Sequence, residues 1–303
     1  MKVKVSVIIP TFKRSDYLRN AIESILNQTY ENVEAIVVDD NPPDSKYRTN
    51  TMKTMERFTG NNKVKYIKNK KNLGGALARN EGIFGANGDY ITFLDDDDTY
   101  LNEKVETQIE YMLNKELDLS FMDVRIHNKN NVLVDYREHD YVKSLAKEEL
   151  LKSHIMHHLT PTSTYMFKKE AITKIGGFDH IEVGQEFMLM LKAIESNLRI
   201  GYIPKALVVQ FLHDSERISV GQNKIDKELE LFNFKKKYFK KLSYKQKKYV
   251  VFRHNAVMVV VGIRSKKYWI SSRHFIKAVY TSPLNCLREI INHLRRIRKY
   301  KKY

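Results

Sequence analysis

Apolar residues occur along the first half of the chain in short runs, and each run is followed by a polar loop and an amphipathic segment. The segments keep a helical spacing, as at Leu18, Ile22 and Ile25. The apolar runs are 3–9, 33–38, 64–67, 90–94 and 117–124. Strands that alternate with helices favour right-handed crossovers and a mainly parallel sheet with helices on both faces. The pattern therefore predicts an α/β fold.

The pattern changes in the second half of the chain. We expect a hairpin turning at 128–131, a helix at 146–153, a strand at 160–167 and a short helix that ends at Gly176 and Gly177. A further helix begins at Gly184, and strands at 200–203 and 206–212 follow it. From residue 222 onward the sequence is helical and basic. We therefore divide the chain into an α/β domain, 1–221, and a basic helical region, 222–303, as a membrane-surface or acceptor-side subdomain.

Charge is distributed unevenly. The chain carries 53 Lys and Arg against 36 Asp and Glu, and residues 224–303 alone carry 23 against 4. This asymmetry points to an anionic partner, either a membrane surface or a nucleic acid. The single cysteine, Cys286, excludes an internal disulfide, so we expect a reducing cytoplasm.

The end of the basic region has the pattern of an interfacial helix. One helical stripe is apolar, with Arg and Lys largely elsewhere; it comprises Leu287, Ile290, Ile291, Leu294 and Ile297. The alternative is a solvated basic face of a helical subdomain. No apolar stretch approaches the roughly 20 residues that span a bilayer, so we expect a peripheral protein.

Four adjacent acids, Asp95 to Asp98, follow the apolar run 90–94. A buried strand would deliver them to the carboxyl edge of the sheet, where open α/β folds place their ligands. Four ionised carboxylates repel one another, and a hard divalent cation with oxygen ligands is the simplest way to offset that repulsion. The alternatives are a solvated acidic turn and a cap for the helix expected near Asn102.

Other polar residues also lie at loop and helix ends. A glycine turn at 74–75 opens a helix that carries Arg79, and neither of the two standard glycine-rich nucleotide loops occurs in the chain. Glu186 lies in the first turn of a helix, either as a partner of the helix dipole or as a general base. The histidines His154, His157 and His158 suggest zinc, solvent-facing roles or acceptor contacts.

Several of these motifs, in this order, resemble the family 2 glycosyltransferases over residues 3–215. The matching stretches are VSVIIPTFKR, VVDDN, NLGGALARNEGI, GDYITFLDDDD, GGFD with GQEF, and the histidine after the last strand. The resemblance implies the GT-A fold, a Rossmann-like, mainly parallel sheet flanked by helices, and a nucleotide-sugar donor.

The resemblance also implies the donor-binding residues. Pro10, Thr11 and Asp40 would border the nucleoside base, with Asp40 accepting a hydrogen bond from a ring N–H. Arg79 would face the base or the phosphates of the donor.

The acidic run contains the family's D-x-D pattern as Asp95, Asp96 and Asp97. Asp97 would bind Mn²⁺ or Mg²⁺, Asp96 would lie near the ribose, and His213 would complete the metal shell. Because Asp98 is a surplus acid, the 95/97 and 96/98 frames both remain open.

The catalytic base in this family usually belongs to a Glu-Asp pair after the GGFD turn. This chain has Gln185 and Glu186 there, so the resemblance implies Glu186 as the base, with Asp179 as the fallback.

These residues together predict an inverting, metal-dependent enzyme. It would move a hexosyl or N-acetylhexosaminyl group from a UDP-sugar to a hydroxyl of a glycan or lipid-linked acceptor in cell-surface polysaccharide synthesis, at the inner face of the membrane. A nucleotidyltransferase would need a glycine-rich loop after the first strand, and residues 10–14 contain no glycine. A nucleic-acid-binding protein would fit the basic region, but no helix-turn-helix, zinc or RNP-type signature accompanies it.

Overall fold

The structure, a computed structural model, describes residues 3–159, 161–181, 184–212 and 222–300. Within these residues nine strands form a single mixed sheet. The strands are β1 (Val5–Thr11), β2 (Val33–Asp39), β3 (Val64–Lys68), β4 (Tyr90–Phe93), β5 (Thr99–Tyr100), β6 (Leu119–Asn128), β7 (Leu133–Arg137), β8 (Met166–Lys168) and β9 (Ile200–Leu212). The helices are α1 (Ser15–Leu26), α2 (Lys46–Met55), α3 (Gly75–Gly85), α4 (Lys104–Asn114), α5 (Lys147–His157), α6 (Lys169–Lys174), α7 (Gln185–Glu195), α8 (Gln222–Lys236), α9 (Tyr244–Arg264), α10 (Tyr268–Thr281) and α11 (Pro283–Tyr300).

The first four strands form a parallel ladder in the order β3, β2, β1, β4. Val5 of β1 is in register with Val33 of β2 on one side and with Tyr90 of β4 on the other. The carboxyl ends of these strands therefore meet at one edge of the sheet. The sheet continues through β8, β6, β9 and β5, with β8 antiparallel to β4, and β7 pairs with β6.

Alternate residues of the parallel strands enter two different cores. In β1, Ile8 packs with Phe93 in the cluster beneath α3, α5 and α7, whereas Val7 and Ile9 pack with Ile22 of α1 in the other. Successive side chains of a strand point to opposite faces, and both faces here are covered by helices. The predicted α/β class is confirmed.

Three predicted elements differ from the structure. The stretch predicted as a strand at 160–167 contains a 3₁₀ turn at Thr162–Thr164, and only Met166–Lys168 is strand. The two strands predicted at 200–203 and 206–212 are one strand. β9 stays paired with β6 through the residues between them, because the register shifts on either side of Asp123. The helix predicted at 146–153 extends to His157.

The helical region packs directly on the sheet. Leu242 and Val250 are buried in the same core as Phe187 of α7, and Leu231 and Phe232 of α8 contact that core. No helix in the described part of the chain combines the length and the hydropathy of a membrane span.

Candidate active site

The candidate site lies where the carboxyl ends of β1, β2 and β4 meet. After β1 the backbone turns sharply at Lys13, whose φ of 63° is left-handed. The N–H of Lys13 donates to Oδ1 of Asn41 (2.9 Å), which joins the loops that follow β1 and β2. This turn brings Arg14 over the acidic run after β4.

Two arginines neutralise three of the four acids. Arg14 contacts Asp97 through Nη1 and places Nη2 2.9 Å from Oδ1 of Asp96. Arg79, one turn into α3, places Nη2 2.5 Å from Oδ1 of Asp95. The family resemblance predicted a role for Arg79 but none for Arg14. The position of Arg14, a basic residue shortly after the first strand, is the sequence signal that could have identified it.

The acids differ in how deeply they are buried. Asp96 is fully buried, and its carboxylate lies against the guanidinium of Arg14 and the side chain of Thr11. Burial raises the pKa of Asp96 to about 7, and the charge of Asp97 adds to the rise while Arg14 opposes it. Burial also raises the pKa of Asp98 well above its ordinary range. Both carboxylates would gain from a further cation in the cluster.

This donor set fits a hard divalent cation in its chemistry. The candidate ligands in the described residues are carboxylate oxygens, and the charge of buried Asp96 is only partly offset by Arg14. In the described residues no three His, Cys, Asp or Glu side chains converge closely enough to hold an ion by themselves. Mg²⁺ usually keeps several water ligands beside one or two carboxylates. The predicted ligand His213 lies outside the described residues.

Asp40 lies at the same edge and organises the loop before α3. It is 3% exposed, and its carboxylate accepts hydrogen bonds from the backbone N–H groups of Leu73 and Gly74, both at 2.8 Å. The side-chain amides of Asn69 (2.8 Å) and Asn72 (2.9 Å) also donate to it. Its predicted contact with a base stays a prediction, as do those of Pro10 and Thr11, which end β1.

Gly74 and the GGFD turn bring α3 and α7 together. Gly74 has a φ of 82°, which a residue with a side chain rarely adopts. The side chain of Asn80 bonds both backbone groups of Phe178, donating to its carbonyl and accepting from its N–H at 2.9 Å each. A Cβ on Gly177 would lie 2.5 Å from Oδ1 of Asn80, so only glycine fits there.

Glu186 is half-buried in the first turn of α7. Among the described residues its side chain has no hydrogen-bond or ion-pair partner. Its neighbour Gln185 accepts from Nη1 of Arg79 (3.3 Å), so Asp95, Arg79 and Gln185 connect the acidic cluster to the start of α7. The fallback residue Asp179 is instead paired with Lys192 at 2.7 Å.

The three histidines do not form a metal site in the described structure. His154 is fully buried; its Nε2–H donates to the carbonyl of Phe187 (2.9 Å), and its Nδ1 accepts from the N–H of Leu159 (3.1 Å). A solvent-facing role is therefore wrong for His154, because both ring nitrogens complete the packing of α5 on α7. Burial lowers the pKa of His154 to about 3.

A groove of about 1460 Å³ opens between β7, the end of α5 and the helical region. The ring of Tyr141 stacks on His157 (centroids 4.0 Å apart), and the hydroxyl of Tyr249 lies 3.2 Å from Nδ1 of His157. His158 also lines the groove, and its ring lies 4.9 Å from that of Phe187, the residue after Glu186. His158 thus connects the groove to the core residue that follows Glu186.

Comparisons with known sequences agree with this arrangement. The family model described as glycosyl transferase family 2 matches residues 6–176. The uncharacterized glycosyltransferase MJ1057 of Methanocaldococcus jannaschii is 30% identical over 210 residues, which cover 68% of this chain and 70% of that protein. TuaG of Bacillus subtilis, a glycosyltransferase named for teichuronic acid biosynthesis, is 31% identical over 159 residues, 52% of this chain and 61% of TuaG.

Solved structures show the same fold. Residues 1–349 of S. aureus TarS, in complex with UDP-GlcNAc, align with a TM-score of 0.60 and 16% identity over 91% of both chains. The mannosyltransferase PcManGT from Pyrobaculum calidifontis, in complex with GDP-Man and Mn²⁺, aligns with a TM-score of 0.61 and 14% identity over 100% of this chain and 83% of that one. These similarities confirm the predicted GT-A fold.

Proposed function

The chain belongs to glycosyl transferase family 2, and we propose that it moves a sugar from a UDP-sugar to an acceptor hydroxyl with inversion at the anomeric carbon. The contact series Asp95, Arg79, Gln185 carries the proposal. This series of contacts connects the acidic cluster, which is suited to a cation bound to a diphosphate, with the first turn of α7, where Glu186 lies. A donor held at the acids would thus lie within reach of a carboxylate on a different element.

The donor would lie across the carboxyl ends of β1, β2 and β4. Pro10, Thr11 and Asp40 would border the base, and Arg79 would face the base or the phosphates. Because Asp40 also holds the backbone of Leu73 and Gly74, its removal should loosen the loop before α3 as well as the base pocket.

Asp97, with Asp95 in the 95/97 frame, would hold Mn²⁺ or Mg²⁺, and Asp96 would lie near the ribose. When bound, the ion would offset the negative charge that develops on the leaving diphosphate. We propose His213 as a further ligand, on the strength of the family resemblance. The two arginines place a positive charge next to Asp95, Asp96 and Asp97, which offsets part of the repulsion among these carboxylates.

Glu186 would act as the general base. The acceptor oxygen attacks the anomeric carbon as its proton passes to Glu186, and the bond from that carbon to the diphosphate oxygen breaks with its electron pair leaving on UDP. The half-buried carboxylate has no competing partner in the described structure, whereas Asp179 is committed to Lys192.

The acceptor would lie in the groove between β7, α5 and the helical region. Its floor of Tyr141, His157 and Tyr249 offers flat rings for the apolar face of a pyranose together with hydroxyl and imidazole groups for sugar hydroxyls. Burial lowers the pKa of His157 to about 4, so this floor is uncharged near neutral pH. The volume of the groove suits a glycan segment longer than one sugar.

We propose cell-surface polysaccharide synthesis as the setting, with the acceptor on a lipid carrier at the inner face of the membrane. The name of TuaG supports the polymer, and the net positive charge of residues 224–303 supports the location. Residues 222–303 would then form the acceptor-side and membrane-side subdomain, attached to the catalytic domain 1–221.

A panel of nucleotide-sugars tests the chemistry. The full chain should release UDP from a UDP-hexose or a UDP-N-acetylhexosamine in the presence of Mn²⁺ or Mg²⁺, and excess EDTA should stop the release. Sugars on GDP and dTDP are the matched controls. A preference for GDP donors would refute the UDP assignment, and a product that keeps the donor's anomeric configuration would refute the single displacement.

A further inference from the structure

Helix α10 buries small residues and exposes large apolar ones. Its buried residues are Ser271 and Ala278. Its partner α9 approaches so closely that a Cβ on Gly262 would lie 2.8 Å from the backbone nitrogen of Ser271. The buried side of α10 is therefore a close contact that already fits α9, with Ile270 as the large side chain that packs beside it.

The exposed apolar residues of α10 form one continuous face. Three adjacent pairs, spaced by four, seven or eleven positions, fall within an arc of about 140° at ~3.6 residues per turn, which places them on one side of the helix. They are Tyr268 (65% exposed), Trp269 (65%), Phe275 (56%), Ile276 (68%), Val279 (37%) and Tyr280 (91%). We call these six residues the α10 face. A contiguous exposed surface of aromatic and aliphatic side chains is typical of a site that binds another protein or a membrane.

The surroundings of the α10 face are positively charged. Exposed Arg273 and Lys277 lie on the same helix, and Arg264 and Lys266 lie just before it. Residues 231–288 contain 15 Lys and Arg and no Asp or Glu. The partner of the α10 face must therefore be apolar and border a layer of negative charge.

We propose that α10 lies in the surface of an anionic lipid bilayer, with the α10 face at the boundary between headgroups and acyl chains. Tyr and Trp are enriched at that boundary because their rings are apolar and their polar atoms stay in contact with headgroups. An amphipathic helix in this position buries its apolar face about 5–10 Å below the headgroups, and flanking Lys and Arg pair with anionic lipid.

The proposal deepens the membrane location given above and is independent of the proposed chemistry. It assigns insertion to α10, whereas the sequence pattern pointed to the stripe from Leu287 to Ile297 on α11. Both elements can act together, because exposed Leu284 (80%) and Leu287 (57%) of α11 follow directly after α10. Leu284 also lines the groove proposed for the acceptor, so a lipid-linked acceptor would enter from the membrane side.

The chain supplies its own reporter for this contact. Trp269 is the only tryptophan and belongs to the α10 face. On vesicles that contain phosphatidylglycerol, we expect its emission to shift to shorter wavelength and brominated lipid to quench it. Vesicles of phosphatidylcholine alone should give a much weaker response, and high salt should release part of the protein.

The test variant is Phe275→Glu with Ile276→Glu, which keeps Trp269 and leaves the contact with α9 intact. Vesicle binding should fall about tenfold or more, because two charges enter the apolar phase. The matched control is Phe84→Glu, since Phe84 is 89% exposed on α3, outside the basic region; its vesicle binding should stay at the wild-type level. Thermal melts should show that both variants are folded.

Three results would overturn the proposal. The first is vesicle binding without any change or quenching of Trp269 emission, which would assign attachment to another element. The second is a blue shift that appears without lipid, rises with protein concentration and accompanies a doubling of mass, which would make a second copy of the chain the occupant. The third is unchanged binding by the double variant. UDP release in lipid-free solution, measured separately, reports on the proposed chemistry alone.

Discussion

Helices α7 and α10 both carry large apolar side chains, but they use them in opposite ways. α7 buries its large residues, Phe187, Leu189, Met190, Leu191 and Ile194, all at most 2% exposed. α10 exposes the α10 face and buries Ser271 and Ala278. A helix whose apolar side is buried in the core has a fixed position. Glu186, the proposed base, is therefore held in place on α7. A helix that leaves its apolar side uncovered has room for a partner, which for α10 we propose to be lipid.

Loss of Asp97 should have the largest effect on activity, whereas changes to the α10 face should have none in lipid-free solution. Asp97→Asn should abolish turnover, because Asp97 is the proposed ligand of the cation at the diphosphate and an amide carries no charge. UDP release from the preferred donor measures the effect. The Phe275→Glu, Ile276→Glu variant should keep wild-type release in lipid-free solution. Full activity of Asp97→Asn, or of the wild type in excess EDTA, would remove the metal from the mechanism.

The same truncation on each helix compares the two packing modes directly. Phe187→Ala should reduce the free energy of unfolding by roughly 3–5 kcal/mol, because a ring that is 1% exposed leaves a cavity in the core. Phe275→Ala, at a site 56% exposed, should change it by less than about 0.5 kcal/mol. Urea unfolding without lipid measures both. Equal losses would mean that another surface covers α10.

The change of Glu186, the proposed base, should affect kcat without affecting donor binding. Glu186→Gln should lower kcat by roughly 100-fold or more, the usual contribution of a general base. Asp179→Asn is the control, since Asp179 is paired with Lys192, and its kcat should stay near the wild-type value. A near-normal kcat in Glu186→Gln together with a large loss in Asp179→Asn would exchange the two roles.

The packing of α5 on α7 should weaken in acid. Burial lowers the pKa of His154 to about 3 in the folded state, against about 6.5 in an unfolded chain. The unfolded state therefore binds more protons between these values, and stability falls as the pH drops below about 6.5, by up to about 1.4 kcal/mol per pH unit. Between about pH 7.5 and about pH 5, urea midpoints should fall further in the wild type than in His154→Phe. Identical losses would show that His154 does not contribute.

The smallest expected effect belongs to the groove proposed for the acceptor. Tyr249→Ala should raise the KM for a glycan acceptor by about tenfold, in line with the loss of one ring contact, with donor hydrolysis unchanged. Tyr268→Ala, in the α10 face, is the matched control for a soluble acceptor and should leave KM unaltered. If Tyr249→Ala lowers donor hydrolysis as much as it lowers transfer, Tyr249 has a structural role and does not bind the acceptor.

The sequence by itself determined the α/β class and the succession of the first four strands and their helices along the chain. It also determined that Asp95 to Asp98 follow the end of a strand. It also placed Glu186 in the first turn of its helix. These features depend on residues close together in the chain, since apolar spacing and the residues that bound each element are local signals. The family motifs added candidate roles, which remain predictions for this chain.

Only the tertiary structure decided what those residues contact. Arg14 meets Asp96 and Asp97, more than 80 positions away, because β1 and β4 are neighbours in the sheet. His154 is buried because α5 packs on α7, and no spacing in the sequence identifies that partner. The α10 face illustrates the same limit. Helical periodicity shows that α10 has an apolar side, but only the close approach of Gly262 to Ser271 shows that the opposite side faces the protein. Periodicity is a property of one segment, whereas burial depends on which other segments pack against it.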